Sequence, residues 1–242
     1  MSRILILGAT GNLGRVLVKQ ALKQGHQVSV VVRDPAKLPS ETIARLEVNR
    51  GDLTSLSNAD LARLVTGRDV LINAAGNVRD GEGFTALIDR IIGAAESVAH
   101  PPICWFMAGA ALLDMGETGP KGFELPLIPK HYQRHGKNFE RLSRSNLDWR
   151  LCCPGPMVDE PPVGLGSMRV SVDCFPIRPP SWTKIAPRIL TVPHFIKSVG
   201  QITVPYADVS ELMLSNLSPG GAFARKRIGI ALPAGQTKHK RR

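Results

Sequence analysis

Apolar residues in this 242-residue chain fall into short runs and helical stripes that alternate with each other. Ile4 to Leu7 is a compact apolar run and predicts a buried strand. Leu13, Val16, Leu17 and Ala21 then recur at helical spacing, with Arg15, Lys19 and Lys23 on the other faces. Gly25 predicts the end of that helix. Gln27 to Val32 is a second, β-branched strand, and Leu46 to Asn49 a third. Ser57 with Asp60 reads as a capping box opening a short helix that ends near Gly67. Asp69 to Ala75 predicts a fourth strand. Phe84 to Val98 is helical through Leu87, Ile88, Ile91, Ile92 and Ala95. Ile103 to Met107, a helix from His131 to Ser145, and Leu147 to Cys153 complete the series, which Pro154-Gly155-Pro156 stops. Repeated strand–helix units of this kind imply an α/β fold with a doubly wound parallel sheet.

From 157 to 206 prolines are dense and periodicity is poor, which predicts loops and short strands over a cleft. Asp208 is expected to cap a last helix, Val209 to Leu217. No spacer, repeat or low-complexity stretch divides the chain, so one domain is expected. Its parts are a core over 1–155, a substrate-side elaboration over 156–224 and a basic tail over 225–242.

The most informative chemistry lies where the first strand meets the first helix. Glycines stand at 8, 11 and 14 between them, in the spacing G-x-x-G-x-x-G. Gly8 suits the tight turn, Gly11 lets backbone approach a pyrophosphate, and Gly14 lets the helix sit against the strand. The amides of that helix N-terminus, around Asn12 and Leu13, would then face the phosphates. The second strand closes on Arg33, Asp34 and, four residues past Arg33, Lys37. A carboxylate at this place accepts from the 2′-hydroxyl of NAD, whereas Arg accommodates the 2′-phosphate of NADP. Arg33 and Lys37 favour NADP, with NAD as the alternative; Asp34, if turned inward, would repel the phosphate. The remaining strand ends supply Thr10, Asp52, Leu53, Ala75, Gly76 and Met107 to Gly109. Asp52 is placed either to contact adenine or to cap the next turn.

Charge and cysteine content narrow the setting. Residues 1–120 hold 12 Lys/Arg against 12 Asp/Glu, whereas 121–242 hold 19 against 8, so the second half carries the whole net charge of +11. This is either a solvated basic surface with a frayed tail or a lobe that steers anionic substrates or a protein partner. With two Tyr and three Trp for stacking and no binding motif, a nucleic-acid role is disfavoured. Cys104, Cys152, Cys153 and Cys174 show no metal-ligand spacing and are expected as buried reduced thiols. No metal site is expected. With no signal peptide and no apolar run of membrane-spanning length, the expectation is a cytoplasmic protein without membrane attachment.

Gly-Ala-Thr-Gly-Asn-Leu-Gly at 8–14, Val-Val-Arg-Asp-Pro-Ala-Lys-Leu at 31–38, Gly-Asp-Leu at 51–53 and Ser-Asn-Leu-Asp-Trp-Arg at 145–150 resemble one family. It is the atypical short-chain dehydrogenase/reductases with an NAD(P)H-binding Rossmann domain, including the flavin reductase/biliverdin reductase B branch and the NmrA-like regulators. The resemblance runs from residue 1 to about 217. It implies cofactor contacts at Thr10, Gly11, Leu13, Arg33, Lys37, Asp52, Leu53, Ala75 and Gly76. His131-Tyr-Gln-Arg-His135 resembles the helix that borders the substrate in the biliverdin reductase B branch, which implies a substrate-side role for His135. That branch carries a serine where this chain has Ala108-Gly109-Ala110, so no hydroxyl is available there.

Most of the wider superfamily uses Tyr-x-x-x-Lys, whose members share one helix face. Here Tyr132 and Lys137 are five apart and diverge by roughly 140° around a helix. His131 and His135 are four apart, and either is suited to be a general acid near neutral pH; His135 and Tyr132 are the catalytic candidates. Flavins and quinones take a hydride with little acid help. The expected function is an NADPH-dependent reductase of a flavin, quinone or similar small acceptor, flat and aromatic or anionic. The alternative is a non-catalytic NADP(H)-binding redox sensor or assembly factor that reads a protein partner. An epimerase or dehydratase is disfavoured by the helix geometry.

Overall fold

The computed structural model describes residues 1–116, 119–180 and 188–239. Its strands are β1 (Arg3–Leu7), β2 (Gln27–Val32), β3 (Leu46–Arg50), β4 (Val70–Asn73), β5 (Ile103–Met107), β6 (Trp149–Cys153), β7 (Met157–Val158), β8 (Arg169–Val172), β9 (Val204–Pro205) and β10 (Lys226–Ala231). Eight of them form one sheet in the order β3-β2-β1-β4-β5-β6-β10-β8. Every pairing in it is parallel except that of β8, which runs antiparallel to β10 at one edge. β7 and β9 pair separately. The strand order reverses between β1 and β4, and in open α/β sheets ligands bind at the carboxyl ends of strands beside such a reversal.

The apolar runs reflect a sheet covered on both faces. Ile4 and Ile6 of β1 pack into one core, Leu5 and Leu7 into the other. Helices α1 (Asn12–Lys23) and α7 (Tyr206–Leu214) cover the first face. Helices α3 (Asn58–Val65), α4 (Glu82–Ser97), α5 (Gln133–Ser143) and α6 (Val192–Ile202) cover the second. A single turn, α2 (Ser40–Ile43), leads into β3. The end of α1 is a Schellman motif: His26 N donates to Ala21 O, Gly25 N donates to Leu22 O, and Gly25 has φ +80°. Ser57 Oγ accepts from Asp60 N and caps α3. No helix among the described residues is long and apolar enough to cross a membrane.

The second half departs from the sequence expectation in three places. The stretch 157–206 contains α6, whose Val192, Phe195 and Ile202 enter the core. Asp208 does not cap a helix at 209. Helix α7 starts three residues earlier, at Tyr206 after Pro205, and the fully buried Asp208 carboxylate instead accepts from the amides of Val163 and Gly164, 3.0 and 2.8 Å away. It thereby ties the 163–164 loop to α7.

The expected basic tail is also not one tail. Residues 226–231 are β10, an interior strand between β6 and β8, and past it Leu232 N donates to Gln201 O and Lys238 N to Gly200 O. Arg227 is buried because partners converge on it: its guanidinium donates to Leu112 O, Asp114 and Asp173, and lies 4.9 Å from the Phe139 ring. Arg225 donates to the carbonyls of Ser143 and Ser145. The fully buried Arg150 is held by Asp148 and by the carbonyls of Asn216 and Ser218. Part of the basic excess is therefore internal and unavailable for steering.

Candidate cofactor and acceptor site

The loop between β1 and α1 is fitted for close backbone approach. Gly8 has φ +82°, and a Cβ there would stand 2.7 Å from Ala74 C and Ala75 N. A Cβ on Gly14 would lie 2.0 Å from Gly8 O, so only glycine lets α1 rest on the turn. Gly11 N donates to Gly8 O and closes the turn. No side chain caps α1 and no acidic residue occupies its first turn. First-turn helix amides have no intrahelical acceptor. With the helix dipole they make a place for a diphosphate, and the glycine cradle leaves the room. Thr10 and the exposed Gly11 and Asn12 form the outer wall, and Leu13 packs inward. Asn12 Nδ2 donates to the Tyr206 hydroxyl at 3.3 Å, linking the loop to the start of α7.

The neighbouring strand ends complete this side. Arg33 is exposed, its guanidinium 3.9 Å from an Asp52 oxygen, a loose pairing that leaves the fork free to turn toward a ligand. Asp34 does not oppose an incoming phosphate as it would if turned inward: its carboxylate accepts from Ala36 N and caps the turn 35–37 that carries Lys37. Asp52 accepts from the amide and hydroxyl of Thr54, which lower its pKa. This is the turn-capping contact expected of it. Leu53 follows, half-buried against the core. At the end of β4 the buried Asn73 side chain accepts from Ala75 N and donates to Ala75 O, shaping the backbone that meets Gly8. Asn73 is absent from the sequence-derived set, although a polar residue closing an apolar strand is a readable signal. Gly76, with φ +105°, lies so close to Phe84 that a Cβ would come within 2.8 Å of the ring.

Phe84 begins the other side of the cleft. Its ring meets His135 edge-on at 5.6 Å, His135 stacks with Tyr132 at 6.3 Å, and Tyr132 lies against His131 at 4.4 Å. A Cβ on Gly109, just past β5, would stand 3.5 Å from His135 Nε2. The structure thus brings Tyr132 and His135 together beside a β-strand end and adds Phe84, which in sequence looks like ordinary helix core. Tyr132 and Lys137 do not act as a pair: Tyr132 belongs to a 3-10 turn before α5, and Lys137 Nζ is 3.3 Å from Glu82.

His135 is buried with no partner for Nδ1. Burial, and secondarily the nearby His131, push its pKa down to about 4. A charged imidazolium acid at neutral pH is therefore not available at position 135. The ring is neutral and offers one N–H and one lone pair. Among the described residues no group of three or more His, Cys, Asp or Glu could hold a metal.

A sequence model of the NAD(P)H-binding family matches residues 8–173. The chain belongs to that family. NAD(P)H is accordingly its cofactor. The chain is 26% identical over 178 residues to the uncharacterised protein YwnB of Bacillus subtilis, covering 71% of this chain and 80% of that protein. A maize isoflavone reductase homolog, IRL, is 37% identical over 98 residues, covering 37% of this chain and 31% of that protein. A Streptococcus pneumoniae protein provisionally assigned as an NADH-flavin reductase superposes with TM-score 0.70 at 20% identity, covering 96% of this chain and all of that one. A short-chain dehydrogenase/reductase of Veillonella parvula, solved with NADP, gives 0.69 at 17% identity, covering 99% and 98%. These two share the Rossmann architecture of this chain.

Proposed function

We propose that this protein is an NADPH-dependent reductase that delivers a hydride to a flat conjugated acceptor, a flavin or a quinone. The observation that carries the reading is the aromatic cluster of Phe84, His135 and Tyr132 beside Gly109 at the carboxyl end of β5, with no hydroxyl–lysine pair among the described residues there. Bound NADPH supplies the hydride. The residues contribute binding and placement. The amides of Asn12 and Leu13 and the glycines 8, 11 and 14 hold the diphosphate. Arg33 and Lys37 take the 2′-phosphate, which favours NADP over NAD. Half-buried Tyr132 presents ring surface on which a flat acceptor stacks, and the buried Phe84 backs His135 from behind. Neutral His135 donates or accepts a single hydrogen bond at the acceptor's edge. The names given to the pneumococcal and maize proteins agree with this reading.

NADPH oxidation by the purified chain with a panel of flavins and quinones tests it. Turnover with at least one acceptor is expected, with NADPH preferred over NADH; no turnover with any of them overturns it. The competing reading, an NADP(H) sensor that signals through a protein partner, is supported by the missing hydroxyl at Ala108-Gly109-Ala110. It calls for cofactor binding without turnover and for a partner lost when residues 233–242 are removed. A deletion from 225 would take β10 out of the sheet and report only unfolding. The buried thiols of Cys104, Cys152 and Cys153 suit a reducing, cytoplasmic compartment.

A further inference from the structure

We propose that Arg134 is an anion seat at the acceptor end of the cleft, holding a phosphate or carboxylate carried by the acceptor itself. The inference rests on the reductase reading of the same site and specifies which acceptors that site takes. Arg134 stands between Tyr132 and His135 at the start of α5. Its guanidinium lies over Gly81: a Cβ there would be 3.3 Å from Nη2 and 3.8 Å from Cζ. Gly81, at φ +67°, opens α4, so bare backbone floors the guanidinium.

Arg134 differs from the other half-buried and buried arginines among the described residues: Arg90 and Arg169 donate to carbonyl and amide oxygens, and the rest have carboxylate partners. Arg68 pairs with Glu47, Arg141 with Glu96, Arg150 with Asp148 and Arg227 with Asp114. Arg134 Nε is shielded from water and has no hydrogen-bond partner. No carboxylate among the described residues comes within ion-pair distance of its side chain. A cation set partly out of water without an anion is costly, and a ligand anion would remove that cost.

The surrounding charges agree. Glu82 is the acid that feels Arg134, but its carboxylate is engaged by Lys137 and Thr85. Asp80 is exposed on the turn 78–80, where Arg79 is exposed as well. The turn 130–132, which packs against it, adds the exposed Lys130 and the half-buried His131. Cations thus outnumber acids around the seat. The planar guanidinium fork matches a phosphate or carboxylate in two-pronged geometry. The cofactor's own phosphates belong to the glycine cradle and the end of β2, so the anion seated here is the acceptor's. The acceptor class is a flat conjugated ring system bearing a phosphate or carboxylate, as flavin mononucleotide does and riboflavin does not.

The test is a pair of fluorescence titrations, flavin mononucleotide and riboflavin, into the full chain saturated with NADP+. Flavin mononucleotide is expected to bind about tenfold or more tightly than riboflavin, the range of a charge-assisted hydrogen bond. Arg134→Gln should erase that preference while NADP+ affinity, which reports a folded cradle, is kept. Arg134→Lys, with charge but no fork, should keep part of it. Equal affinities in the unaltered chain, a preference that survives Arg134→Gln, or no binding of either flavin overturns the proposal. A flavin mononucleotide preference that follows Arg134 without NADPH oxidation would refute the reductase reading and leave the seat standing. Equal oxidation through both flavins, unaffected by Arg134→Gln, would do the reverse.

Discussion

The phosphate side and the acceptor side of the cleft are made of different material. On the phosphate side the groups offered to a ligand are mostly main chain: the turn at Gly8 to Gly11 and the uncapped start of α1, with Arg33 and Lys37 at the margin. Its tolerance is set by distances at which no side chain fits, such as 2.0 Å between Gly8 O and a Cβ on Gly14. On the other side the groups are side chains from two separate stretches, Phe84 and the segment 131–135, against the bare backbone of Gly109. Two of its polar groups, His135 Nδ1 and Arg134 Nε, are left without partners. A backbone cradle recognises what every dinucleotide shares. Under the proposed function, a side-chain wall would select the acceptor, and its alteration is expected to leave the cradle intact.

The largest effect expected is on the cradle. Gly14→Val drives side-chain carbons into the Gly8 carbonyl, and overpacking of this kind costs about 1–3 kcal/mol or more. NADPH affinity should fall about a hundredfold, read by titration. Acceptor-side substitutions such as Arg134→Gln should leave it intact; if they too abolish cofactor binding, the two sides are one cooperative unit.

His135 gives a comparable effect on stability that leaves the cradle alone. Its pKa falls from an ordinary 6.5 to about 4 on folding. The unfolded chain therefore takes up a proton below pH 6.5 that the folded chain refuses until about pH 4. Its stabilising contribution is complete above pH 6.5 and is lost as pH falls toward 4. At about 1.4 kcal/mol per unit the loss is on the order of 3 kcal/mol. Denaturant unfolding across that window should show a steeper decline for the unaltered chain than for His135→Leu. Parallel declines would mean that the ring is not held neutral.

The smallest effect sharpens the cofactor assignment. Arg33→Ala should weaken NADPH about tenfold and NADH hardly at all, since the lost charge-assisted contact is to the 2′-phosphate. Equal losses would move Arg33 from discriminating between the cofactors to general electrostatics.

Much of the first half was legible because its signals are local. Ile4 to Leu7 with glycines at 8, 11 and 14 predicts strand, turn and helix without help from distant residues, and those elements form where expected. Misreadings concentrate after residue 155. Arg225-Lys226-Arg227 looks like the start of a charged tail, and only Asp114 and Asp173 arriving from elsewhere make burial of Arg227 tolerable. The six-residue β10 has no strong periodicity of its own and exists because β6 and β8 flank it. Helix α6 is short, opens on Val192-Pro193 and lies in a proline-rich stretch, where breaker residues mask a three-residue apolar stripe.

The sequence alone determined the doubly wound sheet and the glycine turn between β1 and α1. Those properties follow from nearest-neighbour backbone sterics and from hydrophobic periodicity, which act over a few residues. Tertiary structure decided which charges are spent inside the protein and which remain for ligands. It turned Asp34 into a turn cap, sank Asp208 and Arg227 among partners, left Arg134 without one and stripped His135 of its charge. The physical reason is that solvation and pairing of a charge depend on what other segments bring within a few ångströms, which no local pattern encodes.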